Sequence, residues 1–336
     1  MQGYVYVQTN DSDANEVVVY RHDDDGRLER LGSYLTGGKG SGTAHLPSQS
    51  SVALHGDNLF VTNAGSNQLT VLAVTGGTLA VVDIVRSGGG APRSVAVHEE
   101  HVYVLNTSGS PNVNGFQFDG RRFAQLEGSR RELGNGSDPA QIAFAPDGRT
   151  LLVTDRADAI HVLALDERFI AGTPRRQGSS GMTPYGFDIR ADGTVVVTEA
   201  AGAQAGKASA SSYRLGGEGL SPVSGAVGST RSEVCWAVIG NDGRTAYVTN
   251  FGDGTISSYA IGDDGSIELR EAVAATTVDG EPGLRDEALT RDGRFLYALH
   301  ADTGTVYGWA VEADGSLAAI GTANGLPLTA AGLAAS

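Results

Sequence analysis

One turn, repeated along the chain, limits what this sequence can become. Residues 139–155 read PAQIAFAPDGRTLLVTD. Ala140 to Ala145 alternates small or apolar residues with polar ones, as an inner strand does. Pro146, Asp147, Gly148 and Arg149 form a reversal, because Asp and Gly accept turn dihedrals at little cost. Thr150 to Thr154 is rich in β-branched and apolar residues, which suit a buried strand. The pattern recurs in FDIRADGTVVVTE (187–199), AVIGNDGRTAYVTN (237–250) and EALTRDGRFLYALH (287–300). The turn aspartates Asp147, Asp192, Asp242 and Asp292 are 45, 50 and 50 residues apart. A period of this size marks repeat architectures: blades, solenoids or arrays.

Two shorter-turned copies precede the clear ones, SVALHGDNLFVTN (51–63) and SVAVHEEHVYVLN (94–106). At the start, YVYVQTN (4–10) is a second strand whose first strand is missing. The second-strand ends are then Asn10, Asn63, Asn106, Asp155, Glu199, Asn250 and His300, seven in all. Each copy continues through a loop, a third strand, a turn and a fourth strand. The missing first strand has a candidate in LTAAGLAAS, from Leu328 to Ser336. Pairing the two termini explains both oddities and removes exposed sheet edges. The chain is therefore expected to be all-β: one seven-bladed β-propeller domain over residues 1–336, with four-stranded antiparallel blades and a ring closed by its ends.

Forty per cent apolar residues supports a sizeable core, and the 48 glycines sit mostly at turns. A net charge of −15 argues against nucleic acid and anionic membranes as partners. No apolar run reaches the length of a membrane helix, and no signal peptide is visible. The single cysteine, Cys235, leaves no internal disulfide and reads as a buried, inert thiol. A cytoplasmic monomer acting on a small molecule is expected. The chain has no Gly-x-Ser-x-Gly elbow, and GGKGSGT lacks the phosphate-loop spacing.

Antiparallel alternation places first-strand starts and second-strand ends on one face of the ring. That face gathers polar, acidic and aromatic groups and is where chemistry is expected. Arg93 and Arg285 can clamp a substrate carboxylate, or else form structural ion pairs with acids such as Asp286. Tyr185 and Trp236 can wall a pocket and donate to an oxyanion, or else plug the channel as packing. Gln141, Asp286, Asn106 and Asn250 complete the candidate substrate contacts. Glu199 is the first candidate for a general base; its bland alternative is a solvated strand-end acid. His45 and His300 are candidate acid-base partners. Asp155, Glu199 and Asn250 offer oxygen ligands from neighbouring blades.

The repeats resemble the seven-bladed lactonase propellers, a group that includes propeller-type 6-phosphogluconolactonases and carboxymuconate cyclases. AGSNQLTVLAV, PAQIAFAPDGRTLLVT, TPYGFDIRADGTVVVTEA, VCWAVIGNDGRTAYVTNFGDGTISSYAI and the closing GLAA carry the resemblance across essentially the whole chain. It implies hydrolysis or formation of a lactone on a small, acidic cyclic substrate at the channel mouth. It also implies a glutamate matching Glu199 and a Pro-Arg-His group at an inner-strand start. Here that group reads Pro184-Tyr185-Gly186, so the Arg-His pair is absent. This leaves two alternatives: a cyclase or isomerase of a biosynthetic pathway, and a propeller that only binds. No cofactor is expected; calcium-dependent lactonase propellers suggest a divalent cation, calcium or magnesium, at Asp155, Glu199 and Asn250 as an alternative.

Overall fold

The computed structural model describes residues 3–44, 46–47, 49–217, 219–278 and 280–336. Seven antiparallel sheets follow one another. Numbering the blades in chain order, the innermost strands of blades 2 to 7 are Val52–His55, Gly90–His98, Pro139–Phe144, Pro184–Ile189, Val234–Ile239 and Leu284–Leu289. In blade 1 the inner strand comes from the C-terminus: Leu333–Ala335 pairs with Gly3–Gln8.

The local reasons are those visible in the repeat. In each clear copy the turn aspartate accepts backbone N–H groups two or three residues on. Asp147 Oδ1 takes the amides of Arg149 at 2.8 Å and Thr150 at 3.0 Å. Asp242 and Asp292 do the same for Arg244 and Arg294. Gly148 follows at φ 62°, where a side chain would be strained. The strands then bury apolar residues between blades. Leu152, Ile160 and Val162 of blade 4, for example, pack on Phe187, Val195, Val197 and Tyr213 of blade 5.

Two expectations are corrected in detail. The closing strand is shorter than Leu328–Ala335: only Leu333–Ala335 pairs, with Val7, Tyr6 and Val5. Residues 327–331 instead make a turn, closed by the Ala330 amide on the Pro327 carbonyl at 3.0 Å. The outer edge of blade 3 is split into Phe123–Gln125 and Arg131–Glu132.

The connector from blade 1 to blade 2 reaches the channel at Gln49 and Ser50. The Gln49 carbonyl accepts the Ser94 hydroxyl of blade 3 at 2.7 Å, and the Ser50 carbonyl accepts the Val95 amide at 2.8 Å. The Gln49 side chain reaches the opposite wall. Its Nε2 donates to the Ala237 carbonyl of blade 6 at 2.9 Å, and its Oε1 accepts the Ala237 amide at 3.3 Å. Gly186 makes room for it: a Cβ there would lie 2.4 Å from Gln49 Oε1 and 2.6 Å from the Cys235 carbonyl.

The closure yields a test. Deleting residues 333–336 removes a buried leucine and opens the edge of Gly3–Gln8. It is expected to cost at least about 3 kcal/mol in denaturant unfolding, the scale of one deleted core leucine. An unchanged transition, with the protein still monomeric by light scattering, refutes the closing role.

Candidate functional site

Inner-strand registers fix which groups meet on the axis. Gln141, Gly186, Trp236 and Asp286 occupy equivalent positions in blades 4 to 7. Gln141 ties two inner strands together: its amide donates to the Phe187 carbonyl at 2.9 Å, and its oxygen accepts the Phe187 amide at 2.7 Å. It is therefore a structural link rather than a free contact for substrate. Gly186 is filled by Gln49, as described. Trp236 is fully buried, and its indole N–H has no hydrogen-bond partner among the described residues.

Around Trp236 lies the cluster expected at the strand-start face. The Tyr185 ring stands 5.5 Å from it, edge to face. The Arg285 guanidinium lies 5.3 Å from the Trp236 ring and 5.1 Å from that of Phe251. Only 4% of Arg285 is exposed. Its Nη1 donates to the Leu46 carbonyl at 3.4 Å, and it has no carboxylate within ion-pair reach among the described residues. Arg156 sits 5.5 Å over Tyr185 and pairs with Asp138 at 2.6 Å. Arg93 joins them; burial first, then the Arg156 charge, lowers its pKa. Burial raises that of the Tyr185 phenol, so the phenol keeps its proton at neutral pH. Asp286 follows Arg285 in sequence and is nearly fully buried; it makes no close hydrogen bond among the described residues, though the Gly332 amide and the Arg285 charge favour its ionised form. Burial pushes its pKa up to about 6. Cys235 is buried beside this cluster, and burial raises its thiol to about 12, which suits the inert role expected.

The strand-end residues lie elsewhere. Second strands stand one strand out from the axis, and their terminal side chains reach outward to the third strand and the connector. Glu199, the residue expected to act as general base, is the clearest case. Its Oε1 accepts the Ser211 hydroxyl at 2.6 Å, the Gly181 amide at 2.7 Å and the Ser179 hydroxyl at 3.2 Å. Its Oε2 accepts the Ser209 hydroxyl at 2.7 Å. The carboxylate is fully buried and saturated by its own blade and the segment leading into it.

The other ends repeat this arrangement. Asn106 Nδ2 donates to the Ser87 carbonyl and to Asn112 Oδ1. Asn250 Nδ2 donates to the hydroxyls of Thr255 and Ser257. His300 is buried against Tyr307 and Gly283, and burial lowers its pKa. Asp155 Oδ2 lies 2.9 Å from His161 Nε2, while Oδ1 accepts the amides of Asp138 and Ala157. Asp155 and Glu199 thus have their oxygens engaged by their own blades and the segments leading into them, and Asn250 its Nδ2 by its own blade. Among the described residues no group of three or more His, Cys, Asp or Glu side chains could hold a metal. His45 lies outside the described residues.

Sequence reasoning missed Gln49, Arg156, Asp188 and Glu287. Two of these carry a signal. Aligned on their registers, one inner-strand position reads Ile142, Phe187, Ala237, Glu287, and the next reads Ala143, Asp188, Val238, Ala288. A lone acid in an otherwise apolar position stands out. Gln49 has no such signature, because its partner is far away in sequence.

A family model described as a seven-bladed β-propeller lactonase matches residues 3–123 and 198–324. No curated protein matches. Among solved structures, a Lactobacillus plantarum protein is 16% identical over 100% of both chains, with a TM-score of 0.81. A putative 6-phosphogluconolactonase from Bacteroides fragilis is 15% identical over 100% of this chain and 98% of its own, with a TM-score of 0.74. A periplasmic gluconolactonase from Pseudomonas aeruginosa is 18% identical over 97% and 98%, with a TM-score of 0.74. At these identities the similarity is one of fold. No described helix is long and apolar enough to cross a membrane.

Two strand-end predictions follow from the hydrogen bonds. Glu199→Ala strands four donors, two of them buried, and is expected to cost at least about 4 kcal/mol, at about 1 kcal/mol or more for each. Glu199→Gln costs less, since the serine hydroxyls can rotate to accept. Equal melting temperatures for wild type and Glu199→Ala refute the structural role. For Asp155, burial opposes ionisation, but the contacts from His161 and the Asp138 and Ala157 amides outweigh it and hold the pKa at about 2. Its folded pKa is depressed, so its stabilisation is present above the ordinary value of 3.8 and is lost as pH falls through about 2. Asp155→Asn is expected to be less stable than wild type by about 2 kcal/mol at pH 6, a difference that shrinks between pH 4 and pH 2.

Proposed function

We propose, for a chain that belongs to the lactonase family of seven-bladed β-propellers, that it hydrolyses a small lactone bearing an anionic group. The strand-start end of the channel would carry the reaction. The observation behind this reading is the convergence of Arg93, Arg156 and Arg285 on Tyr185 and Trp236, next to Asp286. Buried cations ordinarily have partners. Here Arg285, in an acidic protein, contacts aromatic rings and a carbonyl, and no carboxylate of the described residues comes within ion-pair distance. An anionic substituent on the substrate supplies that partner.

Each group then has a distinct part. The arginines hold the anionic group and orient the ring. Asp286, ionised above about 6, takes a proton from water as the water oxygen attacks the lactone carbonyl. The protonated Tyr185 phenol and the Trp236 N–H donate to the oxyanion that forms. Collapse of the tetrahedral intermediate breaks the ring C–O bond. The alkoxide takes up the proton held by Asp286, leaving a hydroxy acid. The reverse sequence closes a lactone, so the same groups serve cyclisation where equilibrium favours it. The names of the Bacteroides and Pseudomonas proteins, a putative 6-phosphogluconolactonase and a gluconolactonase, support the reaction class.

The test is a panel of lactones with and without a carboxylate or phosphate, followed by proton release. Asp286→Asn is expected to lower kcat at least about 100-fold, the usual worth of general-base help. Arg93→Ala is expected to raise KM for the anionic lactone about tenfold with little change in kcat, as loss of uniform binding does. With Asp286 as base, kcat/KM rises with pH and levels off above about 6. Full turnover by Asp286→Asn on a lactone that the wild type converts removes the proposed base. Anionic-lactone binding without turnover by the wild type favours the binding-only alternative.

A further inference from the structure

The Gln49 side chain crosses the channel, and beyond it, toward the turn face, lies a second chamber. It has a volume of about 410 Å³ and extends from Gln49 and Gln141 to the turn residues Asn241, Thr290 and Arg291. Much of its wall is small or apolar: Ala53, Ala143, Val238, Ala288 and Leu333. Set into that wall are Asp188, Asp286 and Glu287. Asp188 is provided for, since its oxygens accept the amides of Ile189 and Ile239, both at 2.7 Å. Glu287 is not. It is 4% exposed, and neither of its carboxylate oxygens has a hydrogen-bond partner among the described residues. Asp286, 2% exposed, makes no close hydrogen bond among the described residues, with the Gly332 amide and the Arg285 charge near enough to favour its ionised form. A buried polar group left unsatisfied in a native fold calls for an explanation, and a ligand is one.

We propose that this chamber is a second binding site, for a small organic cation whose ammonium group lies against Glu287, Asp286 and Asp188 and whose carbon chain lies along the alanine-lined wall. This goes beyond the lactonase reading, which concerns the arginine-bearing end of the channel and shares only Asp286 with this chamber. Two observations favour an alkylammonium over a metal ion. The acids are not disposed as a three-ligand metal set, and most of the remaining wall offers methyl groups rather than oxygens. The acids also stand close enough to raise one another's pKa. Burial comes first for Glu287, followed by the charges of Asp188 and Asp286. A cation between them relieves that repulsion and lets the buried carboxyls ionise.

The test uses n-butylammonium chloride, with n-butanol and calcium chloride as comparisons, in isothermal titration calorimetry and thermal melts at pH 7.5. Wild type is expected to bind butylammonium saturably at one site and to melt higher with it, while butanol at the same concentration gives neither effect. Glu287→Gln, nearly isosteric, is expected to weaken binding at least tenfold. Ala143→Leu, which fills the chamber without altering its charge, is expected to abolish binding. Arg93→Ala, which alters the lactone site outside this chamber, is expected to leave it unchanged, and Glu287→Gln is expected to spare lactone turnover, so failure of one reading is distinguishable from failure of the other. Each variant's circular dichroism melt shows that it is folded. Absence of saturable butylammonium binding to wild type overturns the proposal. So does undiminished binding in both chamber variants, or calcium binding at the site in place of the ammonium.

Discussion

Seven wedges form a ring only if the first and last meet. Here they meet through backbone pairing of Val5, Tyr6 and Val7 with Ala335, Ala334 and Leu333. This contact makes all the others possible. Closure sets the inner strands side by side around one axis, and side chains then tie neighbouring strands together. The Ser94 hydroxyl accepts the Ile142 amide, Gln141 pairs with both backbone groups of Phe187, and Asp188 accepts the Ile239 amide. These ties satisfy polar groups that a bare channel would leave buried and unpaired. They also explain why so few of the inner polar residues are available for chemistry.

The seven strand ends are variations on one device. Asn10, Asn63, Asn106, Asp155, Glu199 and Asn250 each anchor the end of a second strand through side-chain hydrogen bonds. The seventh, His300, is buried by packing. What varies is the partner: hydroxyls for Glu199, an imidazole for Asp155, amides and hydroxyls for the asparagines. An acid at such a position is therefore compatible with a wholly architectural purpose.

That device explains how much could be read in the residues. The turns, the strands and the ring closure depend on local chemistry: Asp-Gly reversals, alternation with a period of two, and a blade lacking its first strand at one terminus with a lone strand at the other. The face on which Tyr185, Trp236 and Arg285 meet follows from the same alternation. The direction of the Glu199 side chain does not. It depends on Glu199 lying on the second strand from the axis, with Ser209 and Ser211 of the third strand and Ser179 and Gly181 before the blade within reach. The Gln49 contact was equally hidden, because it joins residues 188 positions apart through a connector with no strand pattern.

That contact also has a mechanical meaning. A hoop of wedges resists squeezing along one diameter only as well as its seams resist shear. Gln49 is hydrogen-bonded through its side chain to blade 6, and its main chain is held to blade 3, so it spans the hoop. Such a tie braces the circle against becoming oval. It also stands between the strand-start end, where arginines gather, and the chamber set with carboxylic acids. The two ends of the molecule therefore offer a solute addresses of opposite sign.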